Sequence, residues 1–532
     1  MNVQDIPRPE DDAAAQTLIE TAAALLAERR RDIPPDFLIE MFGHAVPDDL
    51  ERYQPAELAG IAEHAWSFLL QRKPDTPKIV FAPAGARPAI AVLEILNDNM
   101  PFLVDSVVGE LNERGADIRL LVHPVFAVER NEAGNLIAFK GTHKSAGARE
   151  SFIHIHIEGM EDAAPRADIV HALEEVLADV RVCVQDWRSM LARVNEVAAE
   201  LKANPPPLPA DEIAEAIEFL QWVAADNFTL LGARDYAITD SEAALEPEFE
   251  TGLGLLRSPE MRLLRRGSQL VTITPEIREF LKEPKLIIMT KAAARSRVHR
   301  RVPLDYIGVK YFDHEGRVVG ECVFCGLLTS TAYTRSVHAI PYLRRKVDHV
   351  INRAGFDPGS HSGKALVNVL EHYPRDELFQ IDEETLHHFA LAILQLDERP
   401  RVRVLPRRDR FDRFVSVLVY IPRERYDSQI RARIGDYFAA AFKGRVRAFY
   451  PFFPEGPLVR VHFIIGRYEG ETPVVDRATL DRAVEAIVRT WVDGLHDALF
   501  AGPDPVAGRA CSPATTTPSR STTGRSTRRR RR

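Results

Sequence analysis

AIAVLEILNDNMPFLVDSVVGELNERGADIRLLVHPVF, Ala89 to Phe126, decides how the rest of the chain is read. Ala89 to Leu96 is an apolar run interrupted only by Glu94, as suits a strand buried on both faces. Asn97, Asp98 and Asn99 break the strand and supply cap residues. Pro101 falls where a helix's first turn tolerates a missing N–H. Leu103, Val104, Val107, Val108 and Leu111 make one apolar helical face, and Gly115 stops the helix. Ile118 to Val128 reads as the next strand.

Beyond it, Asn131 to Gly134 is a turn, Leu136 to Phe139 extends a hairpin and Ser151 to Ile157 is a strand. Asp168 to Leu177 is a helix and Val180 to Val184 a last short strand. The expected order is β-α-β-β-α-β, the split βαβ of ferredoxin-like units. Phe411 to Phe500 repeats the theme. A strand, Phe414 to Ile421, leads through Pro422 to Asp427 into a helix carrying Ile430, Ile434, Phe438 and Phe442. Strands Val446 to Phe452 and Leu458 to Ile465 follow, then a helix marked by Leu480, Val484, Ile487, Trp491 and Leu495. The likeness is one of pattern, so the internal repeat is weak.

Between and before these units the chain reads differently. Residues 1–72 are helical, and Lys73 to Arg87 is a Pro- and Ala-rich connector holding a short apolar piece, Ile79 to Ala82. The prolines of Asn204 to Pro209 form a stiff linker. A capped helix from Asp211 is followed by strands at Phe228 to Tyr236, Gln269 to Ile273, Lys285 to Thr290, Tyr306 to Phe312 and Val318 to Leu328. The domains expected are 1–88 (helical), 89–203, 211–330 (mixed α/β), 331–405 (helical connector), 411–500 and a basic tail, 502–532.

Composition excludes several classes. The 532 residues are 45% hydrophobic and 27% charged, an ordinary globular balance. No apolar run reaches the roughly 20 residues of a membrane helix, and MNVQDIPRPEDDAAAQ lacks an apolar signal core. Four cysteines in such a length fit a reducing compartment, so a cytoplasmic location is expected. Eight Arg and one Asp give the segment from Gly502 a net charge of +7 within a chain net of −8, leaving −15 before it. Neither nucleic acid nor membrane is an expected partner. The tail has almost no large apolar residue and cannot bury enough surface to fold. It is a natural basic tail or, as we favour, an out-of-frame ending.

Motifs that carry chemistry fail in context. Gly252-Leu-Gly254 has Arg257 where a dinucleotide loop needs its third glycine. Gly359-Ser-His-Ser-Gly-Lys-Ala365 is one residue short for a phosphate loop and lacks its Ser or Thr. Cys322 and Cys325 have no second pair to complete a zinc site and read as buried thiols. His154 and His156 share one strand face with Glu158 beside them, without a third ligand at helpful spacing. No metal, cofactor-binding or catalytic residue is therefore assigned. Two candidates remain. The loop Asn97, Asp98, Asn99, Met100 presents free N–H groups suited to an amino acid's carboxylate, with Asp98 for its ammonium; helix capping is the competing reading. Arg295, Arg297, Arg300 and Arg301, in the basic run Lys291 to Arg301, form a candidate anion site; a solvated loop is the alternative.

Asn97-Asp98-Asn99-Met100-Pro101-Phe102-Leu103-Val104-Asp105-Ser106-Val107 resembles the N-terminal signature of the large bacterial NAD-dependent glutamate dehydrogenases. Ala354 to Leu366 and Tyr373-Pro-Arg-Asp-Glu-Leu-Phe-Gln-Ile-Asp382 resemble the same family, and the likeness covers residues 1–500. The resemblance implies an α+β chain of tandem ACT-like units with a PAS-like module at 211–330 and helical connectors. It implies the regulatory, oligomerising front of an enzyme that oxidises L-glutamate with NAD, its reacting domain further along. This chain alone is then expected to be inactive, to hold no NAD, to take an amino-acid effector and to form a homo-oligomer. The alternative is a stand-alone amino-acid sensor or scaffold.

Overall fold

The computed structural model describes residues 9–84, 87–142, 147–160, 162–238, 245–261, 263, 265–266, 269–270, 282–468, 470–490 and 493. The chain divides into two bodies, one running to Tyr342 apart from residues 265–272, the other made of those residues and the chain from Leu343. No helix among the described residues is long and apolar enough to cross a membrane.

The first body opens with helices α1 (Pro9–Arg29), α2 (Phe37–Phe42), α3 (Pro47–Leu50) and α4 (Pro55–Leu69). Then come β1 (Lys78–Ala84), β2 (Arg87–Asp98), α5 (Leu103–Glu113), β3 (Asp117–Val122), β4 (Val125–Arg130), β5 (Leu136–Phe139) and β6 (Ala148–Glu158). The sheet is antiparallel in the order β1-β2-β6, with β3 and β4 following one another along the far edge of β6 and β5 outside β4.

Two expectations change here. Ile79 to Ala82 is not connector but the middle of β1, paired with β2 from Lys78–Leu96 to Pro83–Ala91. Val180 to Val184 is not a strand: it lies inside α6 (Ala163–Ala203), a single helix of 41 residues. The two corrections share a cause. The edge beside β2, where a split βαβ unit lays its fourth strand, is already filled by β1. No glycine or proline stands between Arg166 and Ala203 to stop the helix. Val180 and Cys183 are buried there as members of its apolar face.

Alternation along the strands buries both faces of this sheet. Leu93, Ile95, Ile153, Ile155 and Ile157 meet α5 and α6. Leu96, Leu120, Val122, Phe126 and Phe152 meet α1 to α4 through Phe37, Leu58, Trp66 and Leu69. A sheet covered on both sides explains why Ala89 to Leu96 reads as a nearly unbroken apolar run.

After the prolines, α7 (Ala210–Trp222), whose N-cap is Pro209 with no side-chain cap and whose first turn holds Asp211, expected as the cap, leads into β7 (Phe228–Ile238). With β8 (Leu245–Pro247), β9 (Leu253–Gly254), β10 (Ile287–Arg295), β11 (Pro303–Phe312) and β12 (Val318–Leu328) it makes an antiparallel sheet of order β10-β11-β12-β7-β8, β9 pairing beside β8 on β7. Of the expected strand Gln269 to Ile273, Gln269–Leu270 is a two-residue strand and the rest lies outside the described residues. The second half of α6 packs on this sheet too. Cys183 Sγ donates to Leu231 O (3.2 Å) and Arg193 Nη2 to Asp235 (2.9 Å). One core holds Leu173, Val180, Leu231, Leu256, Val323 and Cys325.

The second body has α8 (Leu343–Ala354), α9 (His361–Glu371), α10 (Arg375–Gln380) and α11 (Glu383–Glu398), the last capped by Asp382 on Thr385 N–H (2.8 Å). Its sheet is β13 (Arg403–Arg408), β14 (Phe414–Pro422), β16 (Leu458–Gly466) and β15 (Arg445–Phe452), in that spatial order. Helices α12 (Ser428–Ala441) and α13 (Arg477–Val488) pack on one face. Strand β13 was expected as the end of a helical connector. It fills the edge next to β14 as β1 does next to β2, so the two units repeat in topology although their residues do not. Trp491 and Leu495, expected in the last helix, and the basic tail lie outside the described residues.

Candidate functional site

Both candidate clusters gather around α5. Strand β2 runs through Asp98, so Asn97 and Asp98 end a strand rather than form a loop. Asn97 is buried, its Oδ1 accepting from Arg181 Nη2 at 2.8 Å. Asp98 is half-buried between Arg72 Nη2 and Arg181 Nη2 (3.0 Å to the latter). Burial alone would raise its carboxyl; these two guanidiniums hold it below the usual range. Asn99 N–H donates to Arg149 O (2.9 Å), and Met100 packs on the α5–α6 core. The capping reading is not what the backbone does. The N-cap is Phe102, at φ 73°, with no side chain capping, and Pro101 precedes the helix instead of entering its first turn.

The basic run is neither wholly loop nor solvated. Its first half is the end of β10, and its arginines face the carboxylates of α5 and α6. Arg295 pairs with Glu113 (3.2 Å), Arg297 with Glu175 (2.6 Å) and Asp179 (2.9 Å), and Arg301 with Glu110. Arg300 donates to Leu328 O. His299 reaches the first turn of α5: its Nδ1 meets Asp105 at 2.8 Å, its N–H donates to Ser106 Oγ at 2.9 Å, and its ring lies 5.1 Å from that of Phe102. The helix N-terminus expected to meet an effector's carboxylate is thus covered by the 296–301 turn. Chemically, both clusters are already internally paired. An ammonium must compete with Arg72 and Arg181 for Asp98, and an anion with four carboxylates for the arginines. In the second unit, Asp427 of the corresponding loop caps α12 on Ile430 N–H (2.7 Å).

Sequence reading missed a buried chain behind β2. Glu94, 1% exposed, contacts His64 Nδ1 (3.1 Å) and His154 Nδ1 (3.2 Å). His154 Nε2 faces His156 Nε2 at 2.9 Å, and His156 Nδ1 meets Tyr53 Oη at 2.7 Å. An ionised Glu94 only accepts, so His154 Nδ1 donates to it; His156 Nε2 then donates to His154, and Tyr53 to His156. The two imidazoles bond each other rather than converge on an ion. Among the described residues, no group of three or more His, Cys, Asp or Glu is arranged for a metal. The one signal in the sequence was Glu94 itself, a charge inside an apolar run.

The glycine motifs do not fit a dinucleotide. Gly254 N–H donates to Asp186 Oδ2 (2.8 Å), and the same carboxylate takes a fork from Arg257, so a carboxylate already stands where the phosphate would meet that N–H. A single 3₁₀ turn, Leu255–Arg257, follows where a helix would be required. Gly254 has φ +57°, and a Cβ there would lie 2.3 Å from Leu231 O. Gly254→Ala is expected to cost about 2–4 kcal/mol in denaturant unfolding; a loss below about 0.5 kcal/mol would mean the β7–β9 contact opens in solution. At the other motif Ser360 caps α9, accepting from Gly363 N–H at 3.0 Å. Cys322 and Cys325 are buried in β12; burial pushes the Cys325 thiol up to about 12, which leaves it an inert side chain.

Comparison with known proteins agrees with this architecture. Three family models match: the glutamate dehydrogenase ACT1 domain over residues 37–173, helical motif 1 over 340–399 and the ACT2 domain over 403–492. The first match takes in α2 and α4 as well as the sheet they cover. Among curated relatives, the NAD-specific glutamate dehydrogenase of Halomonas elongata is 36% identical over 480 residues, 88% of this chain and 30% of that protein. That of Pseudomonas aeruginosa is 35% identical over 469 residues, 86% of this chain and 29% of the relative. That of Mycobacterium tuberculosis is 30% identical over 436 residues, 79% and 25%. The chain thus spans about 30% or less of the relatives' length. With both matched sheets built alike and the helical motif between them in sequence, the chain belongs to the large NAD-specific glutamate dehydrogenase family and carries its N-terminal region, with the ACT1 domain, the first helical motif and the ACT2 domain.

Proposed function

We propose that this chain is the regulatory and oligomerising part of an enzyme that converts L-glutamate, NAD and water to 2-oxoglutarate, ammonia and NADH. The hydride transfer belongs to the portion of the family's sequence that this chain does not match. The observation that carries the reading is the pair of ACT units of one topology, each backed by its own helical layer. An amino-acid effector binds at the end of β2, its ammonium exchanging with Arg72 and Arg181 at Asp98. We place the protein in the cytoplasm as a homo-oligomer. For residues 211–330 we keep the PAS-like reading, supported by a helix leading into an antiparallel sheet whose first strand lies inside it.

Two measurements on the purified 532-residue chain test this. With NAD and L-glutamate it is expected to form no NADH; steady NADH production would end the division of labour. Calorimetry against a panel of L-amino acids is expected to find one that binds, and Asp98→Asn to weaken it by about tenfold, the loss of one charge-assisted contact. No binding by any of them would reject the effector role and favour a scaffold.

A further inference from the structure

A cleft of about 670 Å³ opens in the first body where α6 ends against β11, away from the clusters around α5. Its floor is apolar, made by the buried Val197, Leu201 and Val309. Glu200, the prolines of the linker and Tyr311 stand around it. Helix α6 reaches this cleft with acceptors unspent. Asn204 N–H donates to Glu200 O (2.8 Å). The next three residues, whose N–H groups would close the last turn on Leu201, Lys202 and Ala203, are Pro205, Pro206 and Pro207. Among the described residues no N–H donates to those three carbonyls. They form the negative end of the helix, and the half-exposed Glu200 adds a carboxylate 3.6 Å from Arg193.

Two other helices end on an ammonium supplied by the chain. At α4, Lys78 Nζ donates to Phe68 O (2.6 Å) and Gln71 O (2.9 Å). At α10, Lys346 Nζ donates to the carbonyls of Leu378 (2.9 Å), Phe379 (3.1 Å) and Ile381 (2.7 Å). At α6 no lysine among the described residues takes that place. Lys310 is in the wall of the cleft, but its Nζ donates to Glu283 O. By register Lys310 shares a strand face with Tyr306 and stands opposite Glu321, while Val309 and Tyr311 lie on the other face. It is on that other face that Tyr311 Oη accepts from Arg193 of α6 (2.6 Å).

We propose that the cleft binds a primary alkylammonium ion, its charged head on the open carbonyls of α6 beside Glu200 and its alkyl chain over Val197, Leu201 and Val309. An ammonium brings three N–H donors and no acceptor, which suits a group of unpaired carbonyls. A carboxylate would meet the negative end of the helix. A hydrated metal ion would gain nothing from the apolar floor. The volume is that of a small-molecule site. The cleft shares no residue with the cluster at Asp98 and stands whether or not that cluster takes an effector.

The test is saturation-transfer NMR on the full chain, with n-butylammonium chloride as the probe and sodium butyrate as its anionic counterpart of like length. Transfer to the butylammonium methyl group is expected to exceed that to butyrate by about fivefold, the effect of a favourable against an unfavourable charge at a helix end. Glu200→Gln is expected to weaken butylammonium binding about threefold, as suits a half-exposed charge. Replacing Pro205, Pro206 and Pro207 together by alanine returns three N–H groups to the end of α6, so the carbonyls close on the chain itself and the signal is expected to be lost. Equal transfer to both probes, or none to butylammonium, overturns the proposal. So does a butylammonium signal undiminished in the triple variant, which would place the ammonium elsewhere on the protein. If the triple variant does not fold, the butyrate comparison and Glu200→Gln decide, and binding unchanged in Glu200→Gln overturns the site.

Discussion

Glu377→Ala is expected to destabilise the second body by about 3–5 kcal/mol, the usual penalty for stranding one partner of a buried ion pair. Glu377 is 1% exposed on α10 and accepts from Arg407 Nε and Nη2, the latter at 2.9 Å. Arg407 is 8% exposed on β13, the strand that fills the sheet edge. Among the described residues Glu377 is the carboxylate hydrogen-bonded to Arg407, with Asp409 acting only through its charge, so the truncation leaves a buried guanidinium without its bonded partner. Ser416 and His462 occupy the same face and bond each other at 2.8 Å. Burial chiefly pushes His462 down to about 4, so it stays neutral at pH 7 and adds no competing charge. Glu377→Leu combined with Arg407→Met is expected to recover most of the loss, because the pair's attraction largely offsets its desolvation. Denaturant midpoints of the two single variants and the double one check this. A single-variant loss under about 1 kcal/mol would mean that water reaches the pair.

The acid limb of stability is expected to depend on Glu94. Burial would raise its carboxyl, but the imidazoles of His154 and His64 outweigh that and hold it down at about 2, against the usual 4.5. A carboxylate lowered by folding stabilises the native state fully above its unfolded value. That stability fades as pH falls from about 4.5 to about 2. At about 1.4 kcal/mol per unit the amount at stake is about 3 kcal/mol. Glu94→Gln is expected to flatten this limb and to lower stability at pH 7, where an amide accepts more weakly than a carboxylate from His64 and His154. The comparison is unfolding free energy against pH from about 2 to 6 for both proteins. Parallel limbs would place the acid sensitivity in other carboxylates.

How much of this was legible follows from the distances involved. Helix periodicity and turn residues act within a few positions, so α4, α5, α7, α11 and β12 could be read directly, as could the Asp382 cap. The family signature at Asn97 to Val107 is also local. What failed was decided from afar. Val180 to Val184 has the composition of a strand, and only the presence of Lys78 to Ala84 at the sheet edge leaves it helical. Ile79 to Ala82 and Arg403 to Arg408 are short, interrupted by proline or by charge, and become strands because β2 and β14 offer them a partner. At the site, Asp98 is answered by Arg72 and Arg181, and Glu94 by His64 and His154; no spacing rule joins such residues. The basic run was visible as charge, but its use depends on Glu110, Glu113, Glu175 and Asp179, which are spread over two helices.

Filling each sheet edge from upstream has a mechanical consequence for α6. A helix whose chain must return to complete a sheet is tied to that sheet alone. Here the edge is already closed, so α6 is free to run on for about 60 Å. Its first half closes one sheet and its second half opens the next, without a joint between. It works as a common beam. Neither sheet can slide along it without unseating the core that holds Leu173 and Val180 or the contacts of Cys183 and Arg193 with β7, and a load applied to either sheet is carried to its neighbour as a displacement of a rigid part.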